Sequence, residues 1–530
     1  MLENRPVLAG AIAAAALVAV SLLLYAVLGP GGGSPGTTVA GGDSTTSVSE
    51  GSTTTTSLDS GTSTEGSTTT TTSPEDALNE WVDRSTVGQP WGDAVDGLIT
   101  FRGNPTNTWY GTGPVPSAPS ILWRYPDEPM CSRSTDLGVT STWCGNGWTG
   151  QPVVWERPDG ITEVIFGAYD RRLHFLNAET GQDTRTPFAT GDIIKGSPTI
   201  DPDGYPLLYF GSRDNKLRIL SLADEEAIEL WHAVADLTVE GRWNDDWDAS
   251  PRIVNDIMFE GCENGYFYIW KLNRGYDEEG NVTVDPVLLF KMETYTDELL
   301  DNIGPGYPAV SVEGSAALYE GRVYFANSGG RVIGLDITNI EQGEAPIVFD
   351  YWVGDDVDAA IVIDEEGMLY VSVEYERYLS RAQELGQLIK LDPYTDGDPY
   401  VWGMYSLVYP TDEDPEPKGG LWSTPALGDG VLYAVTNKGY LVVVDKDTGE
   451  EVWVDTVGAG SWSSPVIVDE HLLVATFEGT LRSYDISDPR EPRLEWDLIV
   501  GAGHLEATPA IWRGTIYIGS RDGYFYAIDD

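Results

Sequence analysis

From about residue 150 onward, apolar and polar residues alternate in short runs broken every few positions by Gly or Asp. Each run places β-branched and aromatic side chains at every second position, the pattern of a strand with one face buried. The runs come in groups. A lead-in of small residues, commonly Ser or Thr before Pro, opens a first strand, and a turn leads to a second such as Tyr209-Phe210-Gly211-Ser212. Another turn leads to a third such as Tyr526-Ala527-Ile528-Asp529, and a Trp-bearing strand completes the group. Eight lead-ins recur, at Gln151-Pro152, Ser197-Pro198, Ser250-Pro251, Ser315-Ala316, Ala360-Ile361, Thr424-Pro425, Ser464-Pro465 and Thr508-Pro509. No stretch after residue 100 carries the periodicity of a long amphipathic helix.

A group of four short antiparallel strands cannot bury both of its faces alone, whereas radial stacking on neighbours covers them. The pattern therefore predicts an all-β, eight-bladed β-propeller over residues 149–530. The last group stops one strand short, and residues 121–125 (Ile-Leu-Trp-Arg-Tyr) have the character of the missing strand. Closing the ring with a strand from the N-terminal side leaves no free sheet edge. Residues 76–148 are then expected to hold this closing strand and a polar, turn-rich clasp around Phe101-Arg102-Gly103-Asn104-Pro105, without chemistry of its own.

Ahead of this region the pattern changes. Residues 6–28 are apolar throughout except Ser21, which is membrane-spanning length. The run is long for a signal-peptide core, so residues 1–33 read as a signal-anchor that leaves the propeller outside the cytoplasm. Residues 34–75 are dominated by Ser, Thr and Gly and cannot bury a core; they read as a disordered stalk. Outside the membrane a disulfide is permitted, and Cys131 with Cys144 would close a short loop worth about 3 kcal/mol. Cys262 reads as a buried free thiol. Asp and Glu number 84 against 31 Lys and Arg, a formal charge of −53 that opposes contact with nucleic acid and favours solubility as a monomer.

Val443-Val444-Asp445-Lys446-Asp447-Thr448-Gly449-Glu450-Glu451-Val452-Trp453 resembles the signature of the pyrroloquinoline-quinone (PQQ) repeat, and Leu176-Asn177-Ala178-Glu179-Thr180-Gly181 and Gly519-Ser520-Arg521-Asp522-Gly523-Tyr524 are similar to other parts of it. The resemblance runs from about Trp148 to Asp530. It implies the propeller fold, with Gly taking the positive φ of a tight turn and Trp covering the next blade. It leaves function open, because the family includes quinoprotein dehydrogenases, BamB-type scaffolds of outer-membrane assembly and other extracellular propellers.

Chemistry in such a ring would sit in the central funnel, where the lead-ins converge. The residues just ahead of them are Thr149, Lys195, Asp248, Glu313, Asp358, Trp422, Trp462 and Glu506, with His504 close by. Asp248, Glu313, Asp358 and Glu506 offer oxygen ligands for Ca²⁺, and the Trp faces could hold a cationic ligand; a solvated acidic pore is the plainer reading. The acid and aromatic run Trp243-Asn244-Asp245-Asp246-Trp247-Asp248 is either a loop tip or a ligand contact. Other matches lack their structural context: Gly145-Asn146-Gly147-Trp148-Thr149-Gly150 is followed by a strand rather than a helix, and the short loops at Asp201 and Asp445 read as hairpin turns. The adjacent cysteine pair and the haem motif that often accompany the quinoprotein enzymes are absent. The expectation is a membrane-anchored extracellular binding or assembly scaffold for a protein or cell-envelope glycan. The alternative is a PQQ- and Ca²⁺-dependent dehydrogenase.

Overall fold

Among the described residues the period-two alternation is realised as eight sheets, six of four strands and two of five, antiparallel except for one added inner strand. This computed structural model describes residues 81–530 apart from positions 93, 137, 149, 236–243, 305–308, 410, 412–413 and 415–416. The expected signal-anchor and stalk, the funnel position Thr149, and Trp243 of the acid and aromatic run lie outside the described residues. Among the described residues no helix is long and apolar enough to cross a membrane.

The chain is an all-β, eight-bladed propeller. Its blades fall, in order, within residues 153–189, 199–234, 252–293, 317–352, 362–404, 426–456, 466–499 and 510–529. In the eighth sheet Ser120–Tyr125 pairs antiparallel with Phe525–Asp529 as the outer strand. The apolar core is divided among the interfaces between blades. Val362, Tyr370, Leu388 and Trp402 of blade 5, for example, are buried against Leu432, Ala434, Val442 and Val444 of blade 6. Each sheet thus buries both faces on its neighbours, which accounts for strands that are almost wholly apolar in the middle of a blade.

The repeat signature has a visible purpose at two levels. In the turn after the third strand, Gly449 has φ 73° and Gly181 φ 66°. A Cβ on Gly449 would come within 2.7 Å of the Trp402 ring of the preceding blade, and one on Gly181 within 2.6 Å of Trp123. Trp402 Nε1 also donates to Lys446 O at 3.1 Å, and Trp123 Nε1 to Ala178 O at 3.0 Å. Nearer the axis, the Ser and Thr of the lead-ins tie blade to blade. Gln151 N donates to Ser197 Oγ, Ser250 N to Ser315 Oγ, Ala360 N to Thr424 Oγ1 and Thr424 N to Ser464 Oγ, at 2.7–3.1 Å.

The expected clasp lies within residues 97–112, which plug the central channel. Gly97–Leu98 adds an inner strand to blade 1, and Gly111–Thr112 runs parallel to Ala510–Trp512 of blade 8. Between them Thr100, Arg102, Asn104, Thr106, Asn107 and Thr108 are all buried. Arg102 donates to Pro425 O at 2.5 Å and to Pro465 O at 2.7 Å, while Asn107 Nδ2 donates to Ile361 O at 2.8 Å. Ile200 N, Leu318 N and Ile363 N donate to carbonyls of Ile99, Pro105 and Thr106. The polar composition of the clasp has a structural use: lead-in strands that converge on an axis expose inner-edge backbone groups, and a polar segment satisfies them.

Candidate functional site

Each blade sends residues toward the axis from two places, the stretch ahead of its lead-in and the turn that follows its second strand. Two positions in the first place and one in the second recur from blade to blade. In blade 3 they hold Asp246, Asp248 and Glu263; in blade 4, Ser311, Glu313 and Ser328; in blade 5, Asp356, Asp358 and Glu374; in blade 8, His504, Glu506 and Arg521. Phe101 of the plug forms a floor beneath Asp248, Glu313 and Asp358. Above it opens a cavity of about 280 Å³, lined by acids (Glu263, Glu313, Asp356, Asp358, Glu374, Glu376), by cations (Lys195, Arg213, Arg377, Lys418) and by Trp143, Trp148 and Trp422.

The aromatic side of the funnel is filled by its own rings. Trp422 and Trp462 stack with centroids 4.0 Å apart, and Trp148 packs on them at 5.4 and 5.6 Å. Lys418 Nζ lies 4.2 Å from the Trp422 ring centroid. Trp143 belongs to the hairpin of Cys131–Asp136 and Val139–Cys144, whose first and last residues are joined by the disulfide. Cys262 is a buried free thiol 3.2 Å from Asp246 O.

On the acidic side, most carboxylates have an internal partner. Lys195 Nζ contacts Asp248 Oδ2, lies 2.8 Å from Glu263 Oε1 and 3.7 Å from Asp246 Oδ2, and Arg213 Nε reaches Asp246 Oδ2 at 2.5 Å. Burial alone would strip the charge from Lys195, but Asp248 and Glu263 carry its pKa well above the usual value. Glu313 accepts from Ser311 Oγ at 2.8 Å and from Trp148 Nε1 at 3.1 Å; burial, reinforced by Glu263, raises its pKa to about 8. Glu506 accepts from Arg521 at 2.7 Å, with His504 Nδ1 3.3 Å away. In blade 5, Arg377 reaches Asp356 Oδ2 at 2.9 Å, while neither oxygen of Glu374 has a hydrogen-bond partner. Burial, then the neighbouring acids, push Asp358 and Glu374 well above the usual carboxylate range.

Of the residues expected from the sequence, Lys195, Asp248, Glu313, Asp358 and Trp422 line the cavity or its floor, and Trp462 backs Trp422. His504 sits on the rim with its ring stacked on Phe477. Of the four acids singled out as Ca²⁺ ligands, Asp248, Glu313 and Asp358 line one floor cavity, while Glu506 is paired with Arg521. The structure groups the acids by blade: among the described residues, sets close enough to share an ion are Asp246/Asp248/Glu263, Asp356/Asp358/Glu374 and Asp364/Glu365/Glu366. Glu263, Asp356, Glu374 and Trp148 were missed as funnel groups. A usable signal existed for Glu263 and Glu374, since each falls two residues past the small residue that closes its blade's second strand (Gly261, Ser372).

PQQ is a flat tricarboxylate. It needs a free aromatic face and cationic surroundings, and this funnel offers rings packed on one another and more carboxylates than cations. The residues present do not fit the quinone. The buried carboxylates do suit a hard cation.

Residues 386–529 match the family described as outer membrane protein assembly factor BamB. Among solved structures, quinohemoprotein alcohol dehydrogenase from Comamonas testosteroni aligns over 86% of this chain and 83% of its own at 14% identity, with a TM-score of 0.51. Sqt1 from Saccharomyces cerevisiae aligns over 69% and 92% at 8% identity with a TM-score of 0.50, and BamB from Moraxella catarrhalis over 78% and 98% at 12% identity with a TM-score of 0.36. No curated protein matches the chain. The likeness to these structures is one of fold: the protein is a β-propeller whose residues 386–529 match the BamB-type PQQ-repeat family.

Proposed function

We propose that this propeller is a binding or assembly scaffold at the cell exterior, tethered by a membrane segment at residues 6–28 and a stalk at 34–75, and that it receives its partner on the funnel face. The observation that carries the reading is a funnel closed below by residues 97–112 and lined by stacked Trp and buried acid. It presents a concave surface of the kind that receives a partner. The acidic lining favours a protein partner bearing Lys or Arg over a neutral glycan. The BamB-type match over the C-terminal blades is named for an assembly role of this kind. The dehydrogenase reading has fold likeness in its favour and the packed Trp148/Trp422/Trp462 cluster against it.

A photo-crosslinker placed at His504 on the rim of the full chain, expressed in its own cells, tests the scaffold. The expected result is one discrete adduct with a protein, lost when Trp462→Ala is added and absent when the crosslinker sits at Val139. Saturable PQQ binding with reduction of a dye by an alcohol or sugar would replace the scaffold with the enzyme.

A further inference from the structure

The sequence holds two Asn-x-Ser/Thr triplets, Asn104-Pro105-Thr106 and Asn281-Val282-Thr283. Such a triplet is the acceptor for N-linked glycosylation, in which the hydroxyl is read together with the Asn amide, and Pro in the middle position bars it. The fold separates the two. Asn104 and Thr106 are fully buried in the plug, and Asn104 Nδ2 donates to Thr86 O and Gln89 O, both at 2.9 Å. No transferase reaches that amide in the folded chain.

Asn281 stands at the other extreme. Blade 3 joins its third strand, Tyr266–Lys271, to its fourth, Val287–Glu293, through residues 272–286, where blade 6 uses only 446–450 for the same connection. The extra length forms a hairpin of its own, Gly275–Tyr276 against Val282–Thr283, outside the blade's sheet. Its base is fixed: Leu272 and Val282 are buried with Trp270 in the core between blades 2 and 3, and Arg274 is paired with Asp201, Asp203 and Asp256 at 2.7–2.9 Å. Its tip is open, with every residue from Tyr276 to Asn281 exposed. The period of the strand turns Val282 inward and leaves Asn281 and Thr283 exposed on one outer face, so the amide and the hydroxyl are presented together.

Little holds the acceptor in place. Asn281 Nδ2 donates to Asp277 Oδ2 at 2.9 Å and Asn281 N to Asp277 Oδ1 at 2.8 Å, while Asp277 N donates to Asn281 O at 3.0 Å. All three bonds lie within one exposed turn, and the ladder behind them has only the pairs Gly275/Thr283 and Tyr276/Val282. A ladder this short opens locally without disturbing the blade, so the triplet can enter a transferase cleft while the propeller stays folded.

We propose that Asn281 is a site of N-glycosylation, with a lipid-pyrophosphate-linked oligosaccharide as the donor. Nδ2 bonds to the anomeric carbon of the first sugar as the bond from that carbon to the pyrophosphate oxygen breaks. The lipid pyrophosphate leaves with the electron pair, and Nδ2 gives up one proton. The hairpin follows the third strand, at the opposite end of the blade from Glu263 in the turn after the second, so a glycan there leaves the funnel face clear. The inference rests on the proposed placement of the propeller outside the cytoplasm, and not on what the funnel binds.

The test is peptide mass spectrometry of the full chain purified from its own cells, before and after an amidase that releases N-linked glycan and leaves aspartate in place of the asparagine. A glycan mass is expected on the peptide that holds Asn281, and none on the peptide that holds Asn104. Asn281→Gln and Thr283→Val should each lose the glycan and Thr283→Ser should keep it, all three retaining the native near-ultraviolet dichroism. A membrane-impermeant amine reagent applied to the same intact cells reports separately on where the propeller lies. A labelled propeller with bare Asn281 overturns the proposal and leaves the placement standing. An unlabelled propeller with bare Asn281 removes the placement, and the proposal with it. A glycan on Asn281 that persists in Thr283→Val also overturns the proposal, because the attachment would then not depend on the triplet.

Discussion

At the scale of single residues, the plug depends most on Arg102. Its guanidinium satisfies carbonyls of two different blades, Pro425 and Pro465, and lies 4.4 Å from the Tyr110 ring centroid, all in a fully buried setting. Burial lowers its pKa, so the charge is held at a cost that only these partners offset. Arg102→Met keeps the stem and removes the donors, leaving two buried carbonyls unpaired. A loss of about 3 kcal/mol is expected in denaturant unfolding, from one to two buried donor–acceptor pairs broken at a charged group. No change in stability would mean that water replaces the guanidinium. None of this could be read from the sequence, where Phe101-Arg102-Gly103-Asn104-Pro105 has only the composition of a surface turn. Composition registers how polar a segment is, whereas the demand for polar groups here comes from eight lead-ins that are far away in the chain. Glu374 was hidden for a related reason. It follows an apolar strand end in Leu369–Ser372, and its place in the funnel shows only when the blades are superposed position by position.

At the scale of elements, local and long-range preferences agree, and this is why the strands were legible. The alternation specifies strands, the Gly and Asp turns set their ends, and the bulge between third and fourth strands recurs at Ile219/Leu220, Gly334/Leu335 and Val443/Val444. The Thr-Gly turn is where two demands fall on one residue. Gly449 must take a positive φ, and it must also leave room for Trp402 from the preceding blade. Gly449→Ala violates both, with about 1 kcal/mol from the backbone and about 1–3 kcal/mol from displacing the indole. Thermal unfolding should report the loss. Trp402→Ala added to Gly449→Ala should cost less than the sum of the two single changes, because the clash is then gone. Strict additivity would show that the backbone conformation alone matters.

At the scale of the whole molecule, the acids in the funnel set how stability depends on pH. Burial raises the pKa of Asp246 to about 7 and that of Glu313 to about 8, from ordinary values of 3.8 and 4.5. Between those ordinary values and the raised ones, the folded protein keeps protons that the unfolded chain has already released. Stability is therefore fully present below about pH 4 as far as these groups are concerned, and is lost as pH rises through 7 to 8. Every tenfold gain in proton affinity on folding corresponds to about 1.4 kcal/mol. The net charge of −53 acts in the same direction, but salt screens it and hardly touches buried groups. In EDTA at about 0.5 M salt, a concentration with a Debye length of only about 4 Å, the melting temperature should still fall between pH 5.5 and 8. Glu313→Gln should flatten that slope, since an amide has no proton to lose. A melting temperature that rises with pH in EDTA would mean that these carboxylates are ionised in the folded funnel and already paired there.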